Sequence, residues 1–259
     1  MSNELFNVEA YLKRINYEGK TDASYETLYG LHVAHTLNIP FENLSVYFRK
    51  AIKLDRESLY EKIVENKRGG YCFEMNSLFY FVLQELGFKV TNLLARGTRD
   101  GLTYFAKTHQ VLMVEIDGKR YLADVGFGND GITAPLILEA GADQKQFTHT
   151  YRFLEDPKFG YILQERKGEE YHYMYAFTLE ECYPMDFIMS NYFTATFPDS
   201  FFIKMKMCTI PTKDGRITLT DDRLKIVSNG KVTERQLNDE EEYNELLKKY
   251  FKLDLDRIK

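Results

Sequence analysis

The chain lacks the features that mark several large protein classes. It has only three cysteines, Cys72, Cys182 and Cys208, too few and too scattered for a disulfide framework. No CxxC pair occurs, and the five histidines show no zinc-like spacing with the cysteines, so no structural metal is expected. No apolar run approaches the length of a membrane span. The stretch from Met1 to Ile15 is polar, acidic in places and without a signal-peptide core, so a cytoplasmic protein that engages no membrane is the expectation. Lys and Arg number 34 against 39 Asp and Glu, a net charge of -5. That argues against a nucleic-acid partner, which needs a basic face, and leaves room for a local basic patch toward an anionic cofactor. No internal repeat, low-complexity tract or long linker interrupts the chain.

What is present suffices for a sizeable core: 44% of the 259 residues are hydrophobic and 15% aromatic, enough for one large domain or two to three small ones. The first third has helical spacing. Helices are expected over Val8–Ile15, from a Ser24 cap through Leu37 to a stop near Asn38 forced by Pro40, over Asp55–Asn66, and from Cys72 to a cap at Gly87. Strands follow at 88–96, 109–116 and 119–125, then at 148–153, 160–166 and 171–177. A short polar helix is expected over 179–190, and strands over 202–210, 216–219, 225–228 and 231–235. Asp239–Phe251 reads as a closing helix, acidic first and basic last, as its dipole favours. Asp117-Gly118 and Asn229-Gly230 are tight-turn signals.

The chemistry concentrates in Arg68-Gly69-Gly70-Tyr71-Cys72-Phe73-Glu74-Met75-Asn76. It sets a cysteine behind two glycines and at the start of a helix, where the dipole favours a thiolate, the nucleophilic form. A two-residue turn at Asp117-Gly118 would pair Ile116 with Lys119 and place His109, Val111, Leu122 and Asp124 on one sheet face. His109 and Asp124 then become diagonal neighbours, roughly 7–8 Å apart between backbones. A one-residue slip would separate them onto opposite faces. Cys72, His109 and Asp124 would form a nucleophile–base–orienter set. Singly, each has an ordinary structural reading: a small buried thiol, a hydrogen-bonded core histidine, a strand-end cap. Asp124-Val125-Gly126-Phe127-Gly128 lets the backbone approach a ligand closely, or simply ends a strand. Pro40-Phe41-Glu42-Asn43-Leu44 is a helix-exit turn with Phe41 in the core, or a third part of the site. Cys182 and Cys208 read as structural.

Taken together, these motifs, with Thr108-His109, closely resemble the signature of the arylamine N-acetyltransferases in order and spacing. The resemblance is dense from about Ile15 to Leu138 and thins beyond, with Asn191–Phe202 and Asp214-Gly215-Arg216 as weaker landmarks. It implies an α+β fold with a cysteine-protease-like Cys-His-Asp core: an N-terminal helical bundle (1–87) carrying the nucleophile, a central β-barrel (88–190) carrying His and Asp, and a C-terminal α/β lid (191–259). It implies acetyl-coenzyme A as co-substrate and small aromatic amines, hydrazines or arylhydroxylamines as acceptors, in a monomer or homodimer. Cys72 carries over as the acetylated nucleophile, His109 as general base and Asp124 as orienting carboxylate. Phe41, Tyr71 and Phe127 carry over as acceptor-pocket walls, and Phe202 as an aromatic near the donor. Two departures bear on substrate preference: Phe197-Pro198 stands where the family often has His-Pro, and Asp100–Lys107 is atypical. Three rival readings use the same residues. They are a cysteine amidase or transglutaminase-type hydrolase, an amide synthase of the same fold with another acceptor, and a binding module with an unreactive Cys72.

Overall fold

The computed structural model describes residues 6–98 and 100–259. The opening of the Met1–Ile15 stretch lies outside them. Helix α1 (Val8–Arg14) is capped by the Asn7 side chain. Helix α2 (Tyr25–Asn38) begins where Ser24 Oγ accepts the Thr27 N–H and stops just before Pro40, as the cap and the proline predict. Strand β1 (Phe41–Glu42) and helix α3 (Leu44–Tyr47) follow. Helix α4 (Arg56–Tyr60) starts at an Asp55 cap and continues as a π-helical turn over Glu61–Glu65. Helix α5 (Cys72–Glu85) is buried along nearly its whole first half. Gly87, at φ +80°, turns the chain out of it, as a helix-ending glycine does.

Eight strands then form one antiparallel sheet. They are β2 (Lys89–Thr98), β3 (Tyr104–Ile116), β4 (Lys119–Ala123), β5 (Leu136–Ile137), β6 (Gln144–Gln146), β7 (His149–Asp156), β8 (Gly160–Lys167) and β9 (Glu170–Phe177). Their order, β5-β4-β3-β2-β9-β8-β7-β6, brings the first and last strands together as a nearly closed barrel. Side chains bridge the seam: the Gln144 amide accepts from Ile137 N–H and donates to Ile137 C=O, both at 2.9 Å. Strand β3 sits between two cores, and its alternation serves both. Val111 joins Leu122 and Tyr175 inside the barrel, while Leu112, Val114 and Ile116 face the helices.

Helices α6 (Pro184–Thr196) and α7 (Phe201–Lys204) lead into β10 (Met207–Thr212), β11 (Gly215–Thr220), β12 (Arg223–Ser228) and β13 (Lys231–Gln236). Helix α8 (Glu240–Leu246) runs on as a π-helical turn over Leu247–Phe251. These strands form a second antiparallel sheet whose first strand is β1, donated by the helical region. Asn43 secures the same junction: its Nδ2 donates to the carbonyls of Phe202 and Met205, each at 2.8 Å, and its Oδ1 accepts the Met207 N–H at 2.7 Å. Among the described residues no helix is long and apolar enough to cross a membrane.

Two sequence expectations are corrected. The helix expected over 179–190 starts at Pro184, which takes the first helical position with Asp186 capping Tyr183 N–H, and it ends at Thr196. It is also less polar than expected, with Met185, Met189 and Tyr192 exposed. Phe202, expected at the start of a strand, lies on α7, and the strand begins only at Met207. The Asn43 contacts explain this, because they use carbonyls that a strand would have spent on a neighbour.

Candidate active site

Gly69 lets the chain pass close under Pro40, since a Cβ there would lie 2.0 Å from the Pro40 carbonyl oxygen. The turn delivers Cys72 as the first residue of α5, 4% exposed. Glu74 closes the helix start by accepting the Tyr71 N–H at 3.2 Å. Glu74 belongs to a buried charge network in which Lys62 meets Glu74 at 2.6 Å and Arg68 meets Glu42 at 2.5 Å. Burial alone would raise Glu42, but Lys62 and Arg68 hold its carboxyl below the usual range. At Glu74 burial prevails and the carboxyl is raised.

The Asp117-Gly118 turn sets the expected register, with both residues at positive φ. Ile116 pairs with Lys119, and the ladder ends at Leu112 with Ala123. Beyond it, His109 Nε2 lies 2.7 Å from Asp124 Oδ2. On the other side of β3 the pairing with β2 slips, from Ala95 with His109 to Arg96 with Lys107. The bulge leaves Thr108 extra, and its carbonyl faces Cys72 Sγ at 3.9 Å. Cys72 lies beside the His109 ring and adds to its proton affinity. Since Asp124 occupies Nε2, Nδ1 is the nitrogen left for the thiol. Burial disfavours a charged ring here, but Asp124, with a smaller contribution from Cys72, pushes His109 up to about 10. Burial likewise opposes the Asp124 carboxylate, and His109 and Asn76 hold it below its ordinary value. The three residues singled out from the sequence are thus brought together.

Asp124 is fully engaged. Oδ2 also accepts from Tyr175 OH at 2.9 Å, and Oδ1 accepts from Asn76 Nδ2 at 2.9 Å and Gly126 N–H at 3.0 Å. Asn76 also donates to the Gln110 carbonyl at 2.7 Å and accepts the Val125 N–H at 3.0 Å, so one amide ties α5 to β3 and to the loop after β4. His32 Nε2 accepts the Asp124 N–H at 3.0 Å, and its Nδ1 lies 3.0 Å from the Thr133 carbonyl. Those partners require a neutral ring with the proton on Nδ1, and burial lowers its pKa to about 4. Gly126 is required by packing: a Cβ would come within 2.8 Å of Cys72 Cα and of Asn76 Nδ2.

The four aromatic residues divide. Phe202 packs against Phe41 and Tyr71, with ring centroids 6.2 and 5.8 Å away. Tyr71 is fully buried and its hydroxyl donates to Asn191. Phe127 stands edge-on to His109 at 5.1 Å and also touches Tyr175. A cavity lined by Phe41, Phe127, Met75 and Asp124 joins the two groups. Arg216 enters it from β11 and donates to the Gly128 carbonyl at 2.8 Å. Sequence reasoning missed the contacts of Asn76, Tyr175, His32 and Arg216. Asn76 and Arg216 lay inside noted motifs, but nothing local signalled their partners.

With this geometry in hand, comparison with known proteins is specific. A family model described as N-acetyltransferase matches residues 24–259. The arylamine N-acetyltransferase of Escherichia coli K12 is 36% identical over 252 residues, covering 96% of this chain and 89% of the relative. The arylamine N-acetyltransferase structure from Salmonella typhimurium superposes with a TM-score of 0.91 at 34% identity, covering 95% of this chain and 90% of that one. That of Mycobacterium marinum, solved in complex with CoA, gives 0.92 at 35%, covering 98% and 95%. The chain belongs to the arylamine N-acetyltransferase family and is an acyltransferase of that family.

Proposed function

We propose that the protein moves an acetyl group from acetyl-coenzyme A to arylamines, arylhydrazines or arylhydroxylamines by way of an acetyl-cysteine at Cys72. The observation that carries this reading is the contiguous Cys72, His109 and Asp124, with the carboxylate 2.7 Å from the ring. The CoA complex of the Mycobacterium marinum relative supports the choice of donor.

In the first half-reaction Cys72 Sγ attacks the thioester carbonyl while its proton passes to His109 Nδ1. The carbon–sulfur bond to coenzyme A breaks, and the departing thiolate takes that proton. In the second, the acceptor nitrogen attacks the acetyl carbon and loses a proton to His109. The bond to Cys72 breaks, and the proton returns to the sulfur. Asp124 holds the ring and offsets its charge in both halves. Backbone N–H groups at the start of α5 are the candidates for stabilising the oxyanion. Phe41, Tyr71 and Phe127 serve as acceptor-pocket walls and Phe202 as the aromatic near the donor. Together they exclude water that would hydrolyse the acetyl-enzyme.

The test is an initial-rate study with donor and acceptor both varied. Parallel reciprocal plots are expected for an enzyme that releases coenzyme A before the amine reacts; intersecting plots would contradict the acetyl-cysteine route.

A further inference from the structure

Two distant parts of the chain wall the cavity beside the triad. Phe41 belongs to β1 and so to the C-terminal sheet, where it is the Cα partner of Thr209 on β10. Phe127 belongs to the loop after β4, and that loop is held to the barrel by Tyr151, whose hydroxyl donates to the Asp130 and Gly131 carbonyls at 3.2 and 3.3 Å. Both rings line one cavity of about 280 Å³. Its width therefore depends on how the sheet and the loop are joined.

Arg216 on β11 makes that join. Its Nη1 donates to the Gly128 carbonyl at 2.8 Å and to Thr209 Oγ1 at 3.2 Å. One nitrogen thus binds the residue after Phe127 and the strand partner of Phe41. Gly128 is also where the two walls meet: it has φ +86°, and a Cβ there would lie 3.2 Å from the Phe41 ring. The loop's own bond to the Gly128 carbonyl, from Gly131 N–H, is longer at 3.4 Å, so the guanidinium is the firmer of its two partners.

This join is made by a group that is costly to bury. Arg216 is 8% exposed, both its acceptors are neutral oxygens, and its Nε has no hydrogen-bond partner among the described residues. Asp130 and Glu165 attract it from further off, and burial still lowers its pKa. A guanidinium taken out of water without a carboxylate against it costs stability, and an apolar side chain of similar length would fill the space without that cost. What the guanidinium adds is a directed tie between Thr209 and Gly128.

We propose that Arg216 is a positioning residue for the acceptor: it sets the spacing of Phe41 and Phe127, and with it which aromatic amines the acetyl-enzyme takes. The proposal rests on the acetyl-cysteine reading above and adds to it a determinant of specificity supplied by the C-terminal sheet. The acceptor half-reaction should depend on Arg216 far more than the donor half-reaction. Asp124 is held by Asn76, Tyr175, Gly126 and His32, none of which needs the guanidinium.

Intact mass followed in time reads two rates on the full chain. One is acetylation by acetyl-coenzyme A alone; the other is discharge of the acetyl-enzyme by aniline, with one ring, or by 2-naphthylamine, with two. In Arg216→Met, discharge by the preferred amine is expected to fall about tenfold or more beyond any fall in acetylation, the scale of a misplaced reactant. The preference between the two amines should shrink. Arg216→Lys keeps a donor for both oxygens and should restore most of that preference, which a loss of packing alone would not allow. Thr209→Val leaves Arg216 in place but removes one end of the tie, so it carries the same test if Arg216→Met does not fold, and its preference should shrink in the same direction. An unchanged preference in the folded variants overturns the proposal, as does acetylation that slows as much as discharge. No acetyl uptake by the unaltered chain would overturn the acetyl-cysteine reading and this proposal with it; acetyl uptake with an unchanged preference overturns the proposal alone.

Discussion

Asp124 Oδ2 faces His109 Nε2 at 2.7 Å while Asp124 Oδ1 is held by Asn76 and Gly126. The carboxylate is therefore committed to one ring nitrogen, and the ring to one tautomer when neutral. Asp124→Asn keeps the shape but offers an amide N–H or a weaker acceptor to that nitrogen. Acetylation of Cys72 in this variant should slow by roughly 10³-fold or more, the order seen when a triad carboxylate is replaced by its amide. A single-turnover rate within tenfold of the unaltered chain would remove Asp124 from the mechanism.

The same pair links stability to pH. His109 has its proton affinity raised to about 10 in the fold against about 6.5 unfolded. Its contribution is full below pH 6.5 and is lost as pH rises through 10. Asp124 is lowered, so its contribution is present above about pH 4 and is lost as pH falls toward its folded value. Urea unfolding of the unaltered chain and of Asp124→Asn should show the gap in midpoint largest between about pH 4 and 6.5 and shrinking as pH rises toward about 10.5. A gap that does not change with pH contradicts this linkage.

Asn76 joins Asp124, the Gln110 carbonyl and the Val125 N–H. Asn76→Ala strands buried polar groups on three sides, at a cost of about 1–3 kcal/mol. It should also free Asp124 to shift, so the unfolding midpoint and the acetylation rate should fall together. Loss of stability with an unchanged rate would reduce Asn76 to a packing role.

Gly126 permits the close approach of α5 to the loop after Asp124. Gly126→Ala sets a methyl 2.8 Å from Cys72 Cα, and overpacking of that kind costs about 1–3 kcal/mol. A lower melting temperature and slower alkylation of Cys72 by iodoacetamide are expected. A variant indistinguishable in both measurements would show that the loop yields freely.

Local signals carried the fold a long way. Ser24, Pro40 and Gly87 punctuate helices where their backbone preferences require, and Asp117-Gly118 set a register that alone put His109 beside Asp124. Legibility failed where a partner distant in the chain decides the outcome. Asn43 and its contacts with residues 202–207 make Phe202 helical, and no periodicity in that segment announces it. His32 and Tyr175 reach Asp124 across 92 and 51 residues, so their part in holding it emerges only once α2 and β9 are packed. The bulge at Thr108 lies just before the strand expected from His109, in a stretch where no element is expected, and it turns a carbonyl toward the thiol.

In the proposed reaction Cys72 carries the acetyl group between donor and acceptor. Intact-mass measurement after incubation with acetyl-coenzyme A alone, without acceptor, tests it most directly. One acetyl group per chain is predicted, mapped to Cys72, absent in Cys72→Ser and discharged on adding an arylamine. A folded, unmodified chain, or an acetyl group located elsewhere, would contradict the account.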